Sequence, residues 1–151
     1  MIKDLVACVI CGVVHTGTTI TMKMLNAHPD LCGPFEGHVL RLKTVGALKT
    51  NKKRRGVIKS AWRLNVDQLN EAANQNTIED LYRYLRKTSR AIKPEDKGKK
   101  LIDKTPSYMY HLGACLNRSE DIPFIVILSL PAGKEKNPYA VQLILAMAFE
   151  R

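Results

Sequence analysis

The stretch from Val6 to Pro29, "VACVICGVVHTGTTITMKMLNAHP", decides the fold. Its first half extends an apolar run, Leu5 to Val14, that is rich in Val, Ile and Cys and lacks polar alternation, as is typical of a strand buried on both faces. Thr16-Gly17 then signals a turn, and Thr18 to Ala27 carries apolar residues at helical spacing until His28-Pro29 ends the helix. The stretch predicts a buried strand, a tight turn and a helix.

The rest of the chain repeats this alternation of strands and helices. Pro123 to Leu128 predicts a second buried strand, a parallel neighbour or near-neighbour of the first, and Lys100 to Asp103 predicts a short one. The predicted helices are Asp67 to Asn74, Thr77 to Ile92, Ser107 to Asn117 and Pro138 to Glu150, whereas residues 30–60 are expected to be loop. The pattern predicts one α/β domain over residues 1–151, a three-layer fold with a parallel sheet and helices on both faces.

Composition limits the partners and the compartment. The chain of 151 residues has a net charge of +10, which favours anionic partners. Cys8 and Cys11 would point to opposite faces of a strand and could not grip one metal ion, so we expect buried or free thiols in a reducing compartment, the cytoplasm. No apolar run reaches the roughly 18 residues that a membrane span needs, and the first strand lacks the features of a signal peptide.

The turn after the first strand has the arrangement of a phosphate-binding loop. The N-terminus of the next helix offers unpaired N–H groups and partial positive charge, and Thr18 and Thr19 add hydroxyl donors, although both could simply cap the helix. Gly12 and Gly17 have the spacing of the nucleotide-kinase loop, but its lysine is missing. An ATP-dependent kinase is therefore disfavoured.

Three segments, in this order, resemble motifs of the sulfotransferase family. They are "HTGTTITMKMLNAHPDLCGPFE" from His15, "LIDKTPSYMYHL" from Leu101 and "IPFIVILSLPA" from Ile122. The resemblance implies a fold like that of P-loop nucleotide hydrolases, with 3′-phosphoadenosine 5′-phosphosulfate as sulfuryl donor and no metal. It also implies a hydroxyl or amine acceptor, whose chemical identity the sequence leaves open.

The resemblance also assigns roles to individual residues. The loop that would wrap the donor's 5′-phosphate consists of His15, Thr16, Gly17, Thr18 and Thr19, with His15 where the family usually has Lys or Arg. Glu36 matches the family's general base, and Lys104 matches a lysine that stabilises charge on the transferred and leaving oxygens. The alternatives are a solvated loop carboxylate and a surface lysine. Neither residue lies in an apolar pattern, so we expect both to be replaceable without loss of stability.

The match to the family weakens after Leu128. Ser129 and Asn137 stand where the family has the Arg and Ser that meet the donor's 3′-phosphate. With the chain ending at Arg151, this change predicts a truncated or frameshifted copy, and it keeps open a non-catalytic, phosphate- or nucleotide-binding remnant of the same fold. A third alternative is a nucleic-acid-binding protein that uses the basic run Lys49 to Lys59. We expect no nucleic-acid partner, because no recognised binding motif accompanies that run.

Overall fold

The computed structural model describes residues 1–13, 16–34, 36–119 and 122–128, with only the backbone of Ser129 and of 142–147. The strands are β1 (Val6–Gly12), β2 (Leu31–Cys32), β3 (Lys100–Lys104), β4 (Phe124–Ser129) and β5 (Gln142–Met147). The α-helices are α1 (Thr18–Leu25), α2 (Ala47–Thr50), α3 (Lys52–Ala61), α4 (Val66–Ala73), α5 (Ile78–Thr88) and α6 (Leu112–Ser119). Short 3₁₀ helices occupy Ile2–Asp4, Val39–Arg41, Pro94–Asp96 and Pro106–His111.

The five strands form one sheet in the order β2-β3-β1-β4-β5, and the first four of these are parallel. Ile10 at the centre of β1 is in register with Lys104 of β3 on one side and with Ile125 of β4 on the other. This arrangement confirms the predicted α/β class and the parallel pairing of the two most apolar runs. The carboxyl ends of β1, β3 and β4 consequently lie along one rim of the sheet.

The last predicted helix is wrong where the structure describes it. Residues 142–147 form β5, which pairs antiparallel with β4, with Phe124 opposite Met147 and Ser129 opposite Gln142. A short apolar run such as "QLILAM" fits a buried strand as well as a core helix, and periodicity alone cannot separate the two. As a strand, residues 142–147 supply backbone hydrogen-bond partners to the edge of β4 that faces away from β1. This pairing favours a strand over a helix.

Apolar side chains cover the sheet on both faces and make the fold three-layered. On one face, Met22 of α1 packs with Cys8, Ile10, Ile102 and Ile127. The larger core on the other face includes Cys11 of β1 and residues of α2 to α6, among them Leu48, Ile58, Leu69, Leu81 and Cys115. Cys8 and Cys11 thus lie in different cores, as strand geometry predicts, and all four cysteines are buried free thiols.

Residues 30–60 are not the loop that the sequence predicts. They contain β2, a 3₁₀ turn and helices α2 and α3, and the basic run lies mostly on α3. Asn51 caps α3 because its side chain accepts a hydrogen bond from the Arg54 backbone N–H at 3.0 Å. Ile58 anchors the helix in the core, but so few apolar residues accompany the charges that no helical period stands out.

Candidate active site

The predicted phosphate loop is a tight turn between β1 and α1. Gly17 has φ 92°, in the left-handed region that favours glycine, and α1 begins at the next residue. The buried Thr16 hydroxyl donates to the Val13 carbonyl at 2.6 Å and fixes the turn. Within the described residues no side chain caps α1, so the alternative that Thr18 or Thr19 merely caps the helix has no support. His15 lies outside the described residues.

Gly12 lets this loop approach the neighbouring strand. A Cβ atom at Gly12 would lie 2.9 Å from Thr16 Oγ1 and would overlap the Ile127 carbonyl oxygen of β4. Only glycine fits there without a backbone shift. The close packing places the start of α1 against the carboxyl ends of β1 and β4.

Lys104 reaches this loop from the end of β3. Its Nζ lies 3.3 Å from Glu36 Oε1 and 3.5 Å from Thr19 Oγ1, and its side chain is only 1% exposed. The alternative of a surface lysine is therefore wrong, and the expectation that Lys104 can be replaced without loss of stability loses its basis. A buried ammonium depends on nearby oxygen partners, since burial without them carries a large desolvation penalty.

Glu36 lies between two basic side chains. Its Oε1 faces Lys104, and its Oε2 lies 3.1 Å from Nε2 of His38, while 30% of its side chain stays exposed. Burial lowers the pKa of the His38 imidazole, and the nearby Glu36 carboxylate opposes that effect only partly. At neutral pH His38 is thus an uncharged donor to Glu36. The carboxylate is held in place, unlike the solvated loop residue of the alternative.

Three further contacts fix the segment that carries Glu36. The indole Nε1–H of Trp62, which is wholly buried, donates to the Gly37 carbonyl at 2.8 Å. The His38 backbone N–H donates to Thr105 Oγ1 at 2.9 Å. Gly37 packs so closely on β3 that a Cβ atom there would lie 2.7 Å from Cγ of Asp103. The two residues that follow the general-base candidate are therefore held against the core.

Asp103 is the centre of a buried polar cluster that sequence reasoning missed. Its carboxyl group accepts hydrogen bonds from the hydroxyls of Tyr82, Tyr108 (2.7 Å) and Thr105 (3.2 Å), and its side chain is 1% exposed. Burial raises the pKa of Asp103, against the effect of the three donors, and it also raises the pKa of both tyrosines. The tyrosines therefore stay protonated donors. An acidic residue inside a strand pattern was the available signal.

A cleft of about 610 Å³ opens beside Glu36, on the side of α3. Gly33, Pro34, Glu36 and His38 form one wall of the cleft. Ser60 and Arg63, at the end of α3, belong to another. The structure thus brings Thr19, Glu36 and Lys104 together, with Thr16, Gly17 and Thr18 adjacent in the loop. The side chain of Ser129 and all of Asn137 lie outside the described residues. Among the described residues, no group of His, Cys, Asp or Glu is placed to hold a metal ion.

Comparison with known proteins identifies the class. The profile of the sulfotransferase family matches residues 8–128, and the chain therefore belongs to the sulfotransferase family. A search of curated proteins finds no match. In the described part of the chain, no helix has the length and apolar character needed to cross a membrane.

Two solved structures are similar to this chain. The sulfotransferase domain of the olefin synthase from Synechococcus PCC 7002 is 25% identical with a TM-score of 0.50, over 83% of this chain and 47% of that domain. The sulfotransferase domain from the curacin biosynthetic pathway is 15% identical with a TM-score of 0.51, over 85% of this chain and 48% of that domain. This chain thus spans about half the length of either domain.

Proposed function

We propose that this protein transfers a sulfuryl group from 3′-phosphoadenosine 5′-phosphosulfate to a hydroxyl or amine acceptor. The observation that carries the proposal is the meeting of Lys104 Nζ with Glu36 Oε1 at 3.3 Å and with Thr19 Oγ1 at 3.5 Å. These atoms come from three segments, and they converge on the rim of the sheet where α/β folds bind ligands. Family membership and the fold of the two related domains support the same reaction class.

The loop at the start of α1 would hold the donor. His15, Thr16, Gly17, Thr18 and Thr19 would surround its 5′-phosphate, with backbone N–H groups at the uncapped helix end as donors. Lys104 adds the fixed positive charge that the loop itself lacks in its described residues. A phosphate beside an ammonium and a helix N-terminus is electrostatically favoured from both sides.

The transfer itself would use Glu36 and Lys104. The acceptor oxygen or nitrogen forms a bond to sulfur while the bond from sulfur to the donor's 5′-phosphate oxygen breaks, and adenosine 3′,5′-bisphosphate leaves. Glu36 takes the proton that the acceptor loses. Lys104 stabilises the negative charge that develops on the transferred and leaving oxygens. His38 holds Glu36 in position through its Nε2–H.

The proposal includes one domain over residues 1–151 in the reducing environment of the cytoplasm. The state of the cysteines supports the reducing compartment, since all four are buried free thiols. Burial raises the pKa of Cys8 to about 11 and that of Cys11 to about 12, so both are neutral thiols at pH 7.

Two measurements test the proposal together. Radiolabelled sulfate transfer from the donor to a panel of phenols, sugars and amines should be detectable, and titration calorimetry should show binding of adenosine 3′,5′-bisphosphate. Binding without any transfer would instead favour the non-catalytic remnant. Neither binding nor transfer would reject both functions.

A further inference from the structure

Two non-glycine residues in the described part of the chain have a left-handed backbone, and both line the cleft beside Glu36. They are His38, with φ 58°, and Arg63, with φ 50°. Residues other than glycine rarely adopt this backbone conformation, because their Cβ atom crowds the backbone. Such outliers cluster at functional sites. His38 has an evident role at Glu36, whereas the role of Arg63 is open.

The position of Arg63 is one where glycine is the usual residue. It follows the last turn of α3, where its N–H donates to the Ser60 carbonyl at 3.2 Å and the Leu64 N–H donates to the Lys59 carbonyl at 3.0 Å. This pair of hydrogen bonds is the helix ending that most often has glycine at its left-handed position. Leu64 is buried and completes the ending, so the backbone gains nothing from an arginine. A strained arginine here indicates a function for its side chain.

The surroundings of Arg63 are cationic. Its side chain is exposed, and among the described residues its guanidinium makes no hydrogen bond or ion pair. Nε of Arg90 donates to the Arg63 carbonyl at 3.2 Å, which brings a second guanidinium to the same part of the surface, and Ala91 lines the cleft. The cleft therefore has arginine at one part of its lining and the Glu36–His38 pair at another. Positive charge therefore lies at the Arg63 part of the cleft, and a carboxylate lies at the Glu36 part.

We propose that the acceptor carries an anionic group, a carboxylate or a phosphate, which Arg63 binds while the hydroxyl or amine of the acceptor faces Glu36; this inference rests on the sulfuryl transfer proposed above. The guanidinium attracts an anion, whereas the Glu36 carboxylate offers none of that attraction, so the charges favour the orientation with the anionic group at Arg63. The planar fork of arginine suits both carboxylate and phosphate.

The test uses matched phenols whose binding is measured by NMR titration without donor. They are 4-hydroxyphenylacetate, the phosphonate 4-hydroxybenzylphosphonate and the neutral 4-hydroxyphenylacetamide. The wild-type protein should bind at least one anionic probe about fivefold or more tightly than the amide. The Arg63→Gly variant should lose that preference, and Arg63→Lys should keep part of it. Lys53→Ala, which removes an exposed charge from the same helix outside the cleft, should bind like the wild type.

Thermal unfolding separates this role from a structural one. Arg63→Gly should raise the melting temperature, because glycine relieves the left-handed strain, even while the preference for anionic probes is lost. A higher melting temperature with unchanged affinities would overturn the inference, as would the absence of any charge preference in the wild type. The NMR titration contains no donor, so its result does not depend on sulfuryl transfer. A preference for anionic probes in a protein that transfers no sulfate in the separate radiolabel assay would reject the proposed function alone. Transfer without charge preference would reject the inference alone.

Discussion

The ammonium nitrogen of Lys104 lies 3.3 Å from Oε1 of Glu36, although 68 positions separate the two residues in the chain. Topology explains their meeting. Lys104 ends β3, and Glu36 follows β2, which pairs with β3 at the edge of the parallel sheet. Because parallel strands end on one rim, the loop after β2 and the end of β3 are neighbours in space. The ion pair is thus a consequence of strand order.

Replacement of Glu36 by glutamine should abolish most of the transfer. The amide keeps the shape of the side chain but cannot take the acceptor proton, so turnover should fall by about 10² to 10⁴-fold. Initial rates of radiolabelled sulfate transfer measure the loss. Affinity for adenosine 3′,5′-bisphosphate, measured by calorimetry, should change little. Undiminished transfer by the variant would remove Glu36 from the role of base.

Replacement of Lys104 by methionine should reduce both transfer and stability. Methionine retains the buried stem but removes the charge, and we expect turnover to fall by about 10²-fold or more. The Glu36 carboxylate would lose one partner, at about 1–2 kcal/mol of unfolding free energy, since it remains partly exposed and keeps His38. Urea titration measures this loss of unfolding free energy. Lys100→Met on the exposed start of β3 is the control and should change neither quantity.

An alanine at Gly17 should weaken anion binding at the loop. With φ 92°, the position strains any side chain by roughly 1–2 kcal/mol, and a loop that relaxes would withdraw its N–H groups. The affinity for adenosine 3′,5′-bisphosphate should fall about tenfold in calorimetry. Gly98→Ala, where a Cβ atom meets nothing within 4 Å, is the control. Equal affinities for the two variants and the wild type would exclude residues 16–19 as the anion site.

An alanine at Gly37 should destabilise the protein and displace Glu36. The added Cβ would overlap the carboxyl group of Asp103, which three hydroxyls hold in place, and such overpacking costs about 1–3 kcal/mol. Gly56→Ala on α3 meets no atom within 4 Å and should instead stabilise the helix by about 0.5–1 kcal/mol. Urea unfolding of the two variants should shift in opposite directions. A shift in the same direction would contradict the packing of Gly37 on Asp103.

His38 should make stability depend on pH. Burial lowers its pKa from an ordinary value near 6.5, so below that pH the unfolded chain binds a proton that the folded chain does not. The free energy of unfolding therefore falls as the pH decreases from about 6.5 towards the lowered pKa. His38→Asn, which tolerates the left-handed backbone, should flatten this part of the profile. The exposed His111→Asn, which removes a histidine outside the Glu36 segment, is measured alongside as the control.

The parallel part of the sheet could be predicted from the sequence, because the signals for its strands and for the turn after β1 are local. The apolar runs in β1 and β4 and the Gly17 turn each predict their own structure. The final helix was predicted wrongly because the apolar run at 142–147 fits strand or helix equally, and only pairing with β4 decides. The helices at 47–61 went unpredicted because exposed basic residues mask their few buried anchors.

In the candidate site, too, some features could be predicted from local motifs, whereas others depend on tertiary packing. Glu36 and Lys104 could be found from their motif positions, and the structure brings them together. The burial of Lys104 could not be predicted from its position at the end of a strand, because it depends on the loop after β2 packing over the side chain. The Asp103 cluster joins positions from α5, β3 and the 3₁₀ helix that follows, and no local pattern links Tyr82 to Tyr108.

The hydrogen bond between the Trp62 indole and the Gly37 carbonyl gives the protein an intrinsic optical reporter. Trp62 is the only tryptophan in the sequence, and it is wholly buried. Its hydrogen-bond acceptor, Gly37, is the residue that follows the candidate base Glu36. Its fluorescence emission should be blue-shifted in the folded state and respond when the segment around Glu36 moves. Ligand-induced rearrangements of the segment around Glu36 could then be followed in stopped-flow experiments without any attached dye.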